Sequence, residues 1–310
     1  MRIGLGVGLS TIGQSSLAEL VDLIAFAEQS RFDAIWVPHI SNYDALTIIG
    51  LAGRSTRRIE MVTGVLPVHL RHPLLMAQQA LTVHEACGGR LTLGIGVAHP
   101  ETVSAQWGLS YEKPARYMRE YLEVLMPLVR GENVLYEGEV FRVRSALTLS
   151  PVKPLNIMLA ALAPQMLRLA GSRTDGTITW VAGCRALKTH IVPRINDAAV
   201  KAGKPPPRVC VGLPVTVTDD ICEAREEIGS SLARYGTLVN YRRVLDIEGA
   251  ASPAEVAIIG NESQVEYQLR QLSASGATDF FGAVVPSGSR PLASVQRTQE
   301  LLTALVGKIV

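Results

Sequence analysis

The hydrophobic positions of this chain fall into two alternating patterns. Short runs rich in β-branched and other apolar residues are followed by longer stretches in which apolar residues recur every three or four positions. The short runs are typical of buried strands and the longer stretches of amphipathic helices, so their alternation predicts a parallel sheet covered by helices. We predict strands at residues 2–8, 33–38, 59–65, 91–97, 155–161, 176–181, 207–216 and 278–285.

Eight is the number of strands that closes such a sheet, so the predicted fold is an α/β (β/α)8 barrel, the TIM barrel. The 310 residues, of which 47% are hydrophobic, are enough for one barrel, and no linker or change in composition divides them. We therefore expect a single domain over residues 1–310. Three stretches break the alternation and are predicted insertions in the βα loops: 98–113, 131–150, which has the pattern of a hairpin, and 236–260.

Several helix starts carry local signals. Ser16 with Glu19, and Asn261 with Gln264, have the spacing of a capping box, in which the side chain of each residue binds the backbone N–H of the other. Pro73 opens a further predicted helix, at a position where its missing N–H costs nothing. These signals support the boundaries of the predicted βα units.

Charge and cysteine usage argue against several classes of protein. Lysine and arginine total 30 and aspartate and glutamate total 28, so no general attraction to nucleic acid or to an anionic membrane is expected. No apolar run is long enough to cross a bilayer, and the glycine-broken start lacks a cleavage site for a signal peptide. Scattered cysteines without a Cys-x-x-Cys pair predict neither a disulfide framework nor a zinc site and favour the cytoplasm. The cysteines are Cys87, Cys184, Cys210 and Cys222.

The barrel indicates where chemistry should occur, because active sites of this fold lie at the carboxyl ends of the strands. Those ends are small, apolar and poor in charge, so a flat apolar ring system could fit there and meet backbone N–H groups. Hydrolysis by paired carboxylates has no obvious residues. The alternative is that small residues only close the barrel tightly. The ends include 8–10, 38–40, 64–67, 96–99, 160–163, 180–183 and 285–288.

Histidines supply the candidate acid–base groups. His39 and His99 follow two of the predicted strands, and each could donate a proton or orient a substrate oxygen; equally, each could lie at the rim without a role. His69 and His72 have a spacing seen in metal sites. No carboxylate or cysteine accompanies them and Pro73 follows directly, so we interpret them as loop histidines and expect no metal site.

One turn has the features of a phosphate site. Leu162 and Ala163 follow a predicted strand, and Pro164 opens the next helix. The free N–H groups at a helix start favour a phosphate, and small residues let it approach. An ordinary βα turn is the alternative. By contrast, the glycines at 94 and 96 lack the third glycine of a dinucleotide fingerprint, so a Rossmann site is not expected.

Longer stretches of the chain carry a family resemblance. In order along the chain, they resemble the luciferase-like monooxygenase superfamily, and specifically its coenzyme F420-dependent oxidoreductases. Each motif alone is common, but the ordered set is specific and covers nearly the whole chain. The stretches are FDAIWVP at 32–38, DALT at 44–47, RIE at 58–60, TGVLP at 63–67 with RHP at 71–73, GGRLTLGIG at 88–96, YLEVL at 121–125, LAG at 169–171 with DG at 175–176, and GATDF at 276–280.

This resemblance implies a TIM barrel, usually a homodimer, that binds the deazaflavin coenzyme F420 at the carboxyl-end mouth. It also implies a cis peptide bond between Gly64 and Val65. The protein would transfer a hydride between coenzyme F420 and a small organic substrate; an FMN-dependent monooxygenase of the same fold, or a non-enzymatic protein that binds F420 or flavin, are the alternatives. The positions matching the cofactor contacts are His39, Gly64, Val65, Thr102, Leu162 and Ala163.

Two departures from the family pattern concern the substrate. Pro38 stands where many relatives carry an aspartate, and His99 replaces the acidic residue of the sugar-phosphate dehydrogenase branch, which argues against a sugar-phosphate substrate. His39 is then the best candidate for substrate hydrogen bonding or proton transfer. The predicted substrate pocket consists of Leu9, Ile40, Tyr43, His99, Trp107 and Trp180, and a basic exit for the anionic cofactor tail could be formed by Arg71, His72, Arg116 and Arg119.

Overall fold

A computed structural model describes residues 1–7, 15–39, 42–149 and 153–309. Eight parallel strands form a closed barrel, in which each strand pairs with the next and β8 pairs with β1. All eight predicted strands are confirmed, and their ends lie within two residues of the predicted ones. The strands are β1 Arg2–Gly6, β2 Ala34–Val37, β3 Glu60–Thr63, β4 Leu91–Gly96, β5 Asn156–Ala160, β6 Gly176–Trp180, β7 Arg208–Val217 and β8 Asp279–Val284.

Helices cover the outside of the barrel, as the alternating pattern predicts. Both capping boxes are present, at Ser16 with Glu19 and at Asn261 with Gln264. Proline occupies the first turn of five of the helices below. The helices are α1 Leu17–Gln29, α2 Ala45–Gly53, α3 Pro73–Ala86, α4 Pro114–Val129, α5 Pro164–Arg173, α6 Val192–Lys201, α7 Ile221–Ser231, α8 Val239–Glu248, α9 Glu262–Ala274 and α10 Pro291–Leu305.

The three insertions each contain regular structure. The stretch 98–113 includes a π-helical turn, Thr102–Gln106, and the predicted hairpin is confirmed as strands Val134–Glu137 and Arg142–Ser145. The stretch 236–260 contains helix α8 and a short strand, Ile258–Gly260, that extends the sheet beside β7. The sequence did not predict α8, because Leu238 at its start provides no side-chain cap.

Aromatic side chains fill the barrel beneath its carboxyl end. Trp36 of β2 is 1% exposed, and its ring stacks on Phe281 of β8 at a centroid distance of 5.2 Å. Trp180, at the end of β6, stacks on Phe281 at 5.7 Å. Aromatic rings bury a large apolar area and prefer offset stacking of this kind. The three rings form a continuous apolar floor under the mouth of the barrel.

An ion network occupies the opposite, amino-terminal end of the barrel. The guanidinium of Arg208 donates to both carboxylate oxygens of Glu60, at 2.8 and 3.2 Å, and to both of Asp279, at 2.6 and 3.2 Å. Arg2 pairs with the same two carboxylates, at 2.5 and 3.3 Å. Because Asp279 is only 4% exposed, the cost of burying its carboxylate is offset by these ion pairs. The network therefore joins β1, β3, β7 and β8 where the strands begin.

Within residues 1–7, 15–39, 42–149 and 153–309, no helix is both long enough and apolar enough to cross a membrane.

Candidate active site

A cavity of about 630 Å³ opens at the carboxyl ends of the strands. Residues in or just after every barrel strand except β7 line it, together with residues 234 and 235 just before the last insertion and residues 240 and 241 within it. The stacked rings of Trp36, Phe281 and Trp180 contribute to its lining. A volume of this size is typical of sites for drug-sized ligands.

Small residues shape one wall of the cavity. The peptide bond between Gly64 and Val65 is cis, as the resemblance implies. A Cβ at Gly96 would lie 2.9 Å from Val65 Cγ2 and 3.1 Å from the Cβ of Ala160, so no larger residue fits at Gly96 without displacement of this wall. The small residues of this wall leave space beside it for a flat ring.

His39 lies just after β2, and one of its ring nitrogens accepts a hydrogen bond. Its Nδ1 accepts the backbone N–H of Ala45 at 3.4 Å and lies 3.6 Å from the Asp44 carboxylate. Burial and the nearby charge of Arg71 lower the pKa of His39, although Asp44 acts in the opposite direction. The imidazole is therefore neutral at neutral pH. Because Nδ1 accepts a hydrogen bond, the proton resides on Nε2, which leaves an N–H donor available.

Asp44 positions His39 from the start of α2. It caps this helix by accepting the Thr47 N–H at 2.8 Å and the Thr47 hydroxyl at 2.9 Å, and it forms an ion pair with Arg71. Arg71 also donates to the Gln79 side chain at 3.0 Å. These contacts fix the Asp44 carboxylate beside the His39 ring, because each of its oxygens has a partner.

The second histidine, His99, belongs to a polar corner of the cavity. Its ring lies 5.6 Å from that of Tyr241 in α8. Arg234 donates to the Thr102 hydroxyl at 3.3 Å. Burial and the charge of Arg234 lower the pKa of His99, so this side chain is also neutral near pH 7. Sequence reasoning missed Arg234, Asn240 and Tyr241, although it marked 236–260 as an irregular insertion.

The turn after β5 has the geometry that favours a phosphate. Leu162 and Ala163 line the cavity, and Pro164 begins α5. No side chain caps this helix, and Leu167 is the residue whose N–H reaches back to the Ala163 carbonyl, at 2.9 Å. Earlier N–H groups of a helix lack partners within it, so this start presents free donors to an anion. The small Ala163 side chain leaves room for such a group.

The structure brings most of the predicted site residues together. Tyr43 is an exception: it is 42% exposed and does not line the cavity, because the chain here turns outward into the N-cap of α2. Leu9 and Ile40 lie outside the described residues. The predicted residues that line the cavity are His39, Gly64, Val65, Thr102, Leu162, Ala163, His99, Trp107 and Trp180.

The predicted basic exit is placed differently. Arg71 is paired with Asp44, Arg116 is paired with Glu139, and His72 caps α3 by accepting the Leu74 N–H at 3.2 Å. Arg119 is exposed on α4. None of the four lines the cavity, whereas Arg234 does. Among the lining residues that the structure describes, Arg234 is the one with a permanent charge.

The chemistry available in the cavity follows from this inventory. Its described lining contains no aspartate or glutamate, so it offers no carboxylate pair for hydrolysis. Across the described part of the chain, no group of three or more His, Cys, Asp or Glu side chains is arranged to hold a metal ion. Backbone donors, an apolar aromatic floor, neutral imidazoles and the single cation Arg234 are among the groups that the described lining provides. They suit the binding and orientation of a ring system that brings its own reactivity.

Comparison with known proteins agrees with this description. A 5,10-methylenetetrahydromethanopterin reductase of Archaeoglobus fulgidus is 32% identical over 173 residues, which are 55% of this chain and 52% of that protein. The chain spans between about half and two thirds of the length of the first curated relatives that it matches.

Solved structures of low sequence identity share the fold over their whole length. The coenzyme F420-dependent tetrahydromethanopterin reductase from Methanopyrus kandleri has a TM-score of 0.77 at 20% identity, covering 100% of this chain and 98% of that one. The oxygenating constituent of a type II Baeyer–Villiger monooxygenase from Pseudomonas putida, in complex with FMN, has a TM-score of 0.78 at 18% identity, covering 100% and 99%. The profile of the luciferase-like monooxygenases matches residues 3–283, and the chain belongs to this family.

Proposed function

We propose that this protein is an oxidoreductase that transfers a hydride between coenzyme F420 and a small organic substrate. The observation that carries the proposal is the cavity, in which an aromatic floor, a cis peptide at Gly64–Val65 and an uncapped helix start at Ala163 surround one space. Several of the similar proteins are F420-dependent enzymes, which supports the same cofactor. A bound deazaflavin supplies the hydride chemistry.

The residues of the chain then have distinct roles. The start of α5 holds the cofactor phosphate through its backbone N–H groups. The small residues 64, 96 and 160 leave space for a ring, and the aromatic floor keeps water away from it. His39 donates a hydrogen bond from its Nε2–H to a substrate oxygen, while the Ala45 N–H keeps the imidazole in this tautomer. Thr102 and Arg234 define the polar side of the same cavity.

An FMN-dependent monooxygenase is the second candidate. One specific observation favours it: the Pseudomonas structure, which shares the fold over its full length, is in complex with FMN. Deazaflavin and FMN share a tricyclic ring, a ribityl chain and a phosphate, so the ring space and the phosphate turn accommodate either. They differ beyond the phosphate, where deazaflavin continues into an anionic tail.

Equilibrium binding distinguishes the two cofactors. We expect coenzyme F420 to bind at least about tenfold more tightly than FMN, a difference of about 1.4 kcal/mol, because the exposed Arg234 attracts the anionic tail. The preference should shrink as salt is raised, since counter-ions screen exposed charges. Fluorescence titration of the purified protein with both cofactors, with Arg234→Gln as the matched variant, measures this.

Three results of the titration and of accompanying activity measurements would change the proposed function or the proposed site of the tail. Tighter binding of FMN, together with oxygen consumption when the bound flavin is reduced, would establish the monooxygenase instead. Tight F420 binding without turnover of any alcohol, ketone or unsaturated substrate would favour a protein that only binds the cofactor. A preference that is unchanged in Arg234→Gln would show that the tail is held elsewhere.

We further propose a homodimer formed through the first three helices. Phe26 of α1, Leu51 of α2 and Leu75 of α3 are 38%, 50% and 46% exposed, and these helices are neighbours around the barrel. Exposed apolar residues on adjacent elements are typical of a subunit interface.

The four cysteines are free thiols, which supports the cytoplasm as the proposed compartment.

The dimer can be tested by charge reversal of the apolar surface. We expect light scattering to give twice the chain mass for the unmodified protein and the single mass for the double variant Leu51→Glu and Leu75→Glu, because burying two carboxylates opposes association. Leu292→Glu is the matched control, since Leu292 is 84% exposed on α10. A single mass for the unmodified protein, or a dimer that survives the double change, would contradict this interface.

A further inference from the structure

A buried histidine outside the cavity contacts the phosphate turn. His190 is 5% exposed, and its Nε2 lies 2.8 Å from the carbonyl oxygen of Leu162. It belongs to a π-helical turn, Leu187–Ile191, that precedes α6. Such turns are rare and occur frequently at functional sites. His190 itself does not line the cavity, whereas Leu162 and Ala163 do.

The peptide unit between Leu162 and Ala163 links these two sides of the turn. A trans peptide is planar, so its C=O and N–H point in opposite directions. The imidazole holds the Leu162 carbonyl from the side away from the cavity. The Ala163 N–H of the same peptide therefore points away from His190, and Ala163 itself lines the cavity at the start of α5.

The donor in this contact is defined by chemistry. A carbonyl oxygen only accepts, so the proton of the imidazole must be on Nε2. Burial lowers the pKa of His190, and the charges of Arg194 and Arg243 act in the same direction, although the contact with Leu162 opposes them. Arg194 in addition donates to the His190 carbonyl at 2.9 Å, which fixes the backbone of the π-helical turn.

We propose that His190 is a positioning residue for cofactor phosphate: it locks the Leu162–Ala163 peptide so that the Ala163 N–H points at the phosphate site. This inference rests on the proposed function, because it assumes a phosphorylated cofactor at the start of α5. His190 touches neither the cofactor ring nor the substrate. Its effect is therefore confined to the recognition of the phosphate.

Two ligands that differ only in the phosphate isolate this effect. The deazaflavin nucleotide that ends at the phosphate and the nucleoside that ends at the ribityl hydroxyl are titrated against the protein by fluorescence. We expect His190→Leu to weaken nucleotide binding about tenfold, while nucleoside binding changes by less than about twofold. His190→Gln, which retains an N–H donor, should recover most of the nucleotide affinity.

A second buried histidine provides the matched control. His84 is 2% exposed and contacts the carbonyl oxygens of Leu91 and Lys153, both at 3.2 Å, yet it does not line the cavity. His84→Leu should lower the melting temperature but leave the nucleotide-to-nucleoside affinity ratio unchanged. Melting temperatures of all variants separate loss of stability from loss of phosphate recognition.

The remaining outcomes refute one proposal or the other. If His190→Leu weakens nucleotide and nucleoside equally, or weakens neither, His190 does not position the phosphate donor. If the unmodified protein binds no deazaflavin, the proposed function fails, and FMN against riboflavin becomes the ligand pair. An unchanged ratio of FMN affinity to riboflavin affinity in His190→Leu would then overturn the positioning role. A tenfold fall in this ratio would support the role even though the cofactor is not deazaflavin.

Discussion

Replacing Arg208 by methionine is expected to lower the melting temperature by about 6–9 °C, because a partly buried ion network loses its central cation. Breaking such a network by removing one partner costs about 3 kcal/mol, and this corresponds to several degrees in a protein of this size. Glu60 and Asp279 would remain at the base of the barrel with side chains only 16% and 4% exposed. Arg2, which is 41% exposed, cannot neutralise both of them as effectively.

A surface pair provides the control for this prediction. Arg270 pairs with Glu266 on α9 at 2.6 Å, and its side chain is 44% exposed. Arg270→Met should change the melting temperature by no more than about 2 °C, because exposed pairs contribute at most about 1 kcal/mol. Equal effects of the two substitutions in thermal denaturation would show that the barrel base does not depend on its network.

The acid dependence of stability gives a second readout of the network. Burial alone would raise the pKa of Glu60, but the hydrogen bonds and charges of Arg208, together with Arg2 and Thr92, lower it overall. A carboxylate whose pKa is lowered in the folded state stabilises the protein at pH values above its pKa in the unfolded chain. This stability is lost as the pH falls through its pKa in the folded state. The difference between the unmodified protein and Arg208→Met should therefore shrink below about pH 4.5.

The fold was largely predictable because its signals are local. Strands buried on both faces require continuous apolar runs, and capping boxes at Ser16 and Asn261 mark helix starts within four residues of sequence. The barrel then follows from the number of βα units. Helix α8 carries no comparable signal, since Leu238 cannot cap it, and its position depends on packing against the rest of the molecule.

The ion network shows which information a linear pattern lacks. Arg2, Glu60, Arg208 and Asp279 are the first residues of β1, β3, β7 and β8. Taken alone, each of these residues resembles any charged residue at the start of a strand. Only closure of the barrel brings them together, because parallel strands start at the same end. A search for opposite charges at strand starts would have found the network once the barrel was predicted.

The candidate site was predictable to a similar extent and for the same reason. Residues that directly follow a strand, such as His39 and Ala163, are placed by the fold at the mouth of the barrel. Arg234 and Tyr241 reach the cavity from just before and within the insertion 236–260, whose path is not encoded by a local pattern. His190 is further removed, because its role depends on a hydrogen bond to a residue 28 positions earlier in the chain.

Substitution of His39 by alanine should produce the largest functional effect of any change proposed for the cavity. Removal of one preorganised hydrogen-bond donor costs about 10²- to 10³-fold in turnover, and we expect a loss of kcat/KM in this range. The physical reason is the loss of the Nε2–H donor, which the Ala45 N–H holds in one tautomer. The melting temperature should change little, since His39 belongs to the cavity wall and not to the packed core.

The pH profile and a neighbouring residue make this prediction specific. Because burial and Arg71 lower the pKa of His39, its neutral, active form should persist below pH 6.5. Turnover should therefore fall only as pH drops further, and this acid limb should be absent in His39→Ala.

Tyr43→Ala is the matched control, since Tyr43 is exposed and outside the cavity lining, and it should retain near-normal kcat/KM. Steady-state rates, followed by the absorbance of the deazaflavin with a substrate found by screening small alcohols, ketones and unsaturated compounds, provide the measurement. Unchanged turnover in His39→Ala, or an unaltered acid limb, would assign the hydrogen bond to the substrate to another group, of which His99 is the nearest in chemistry.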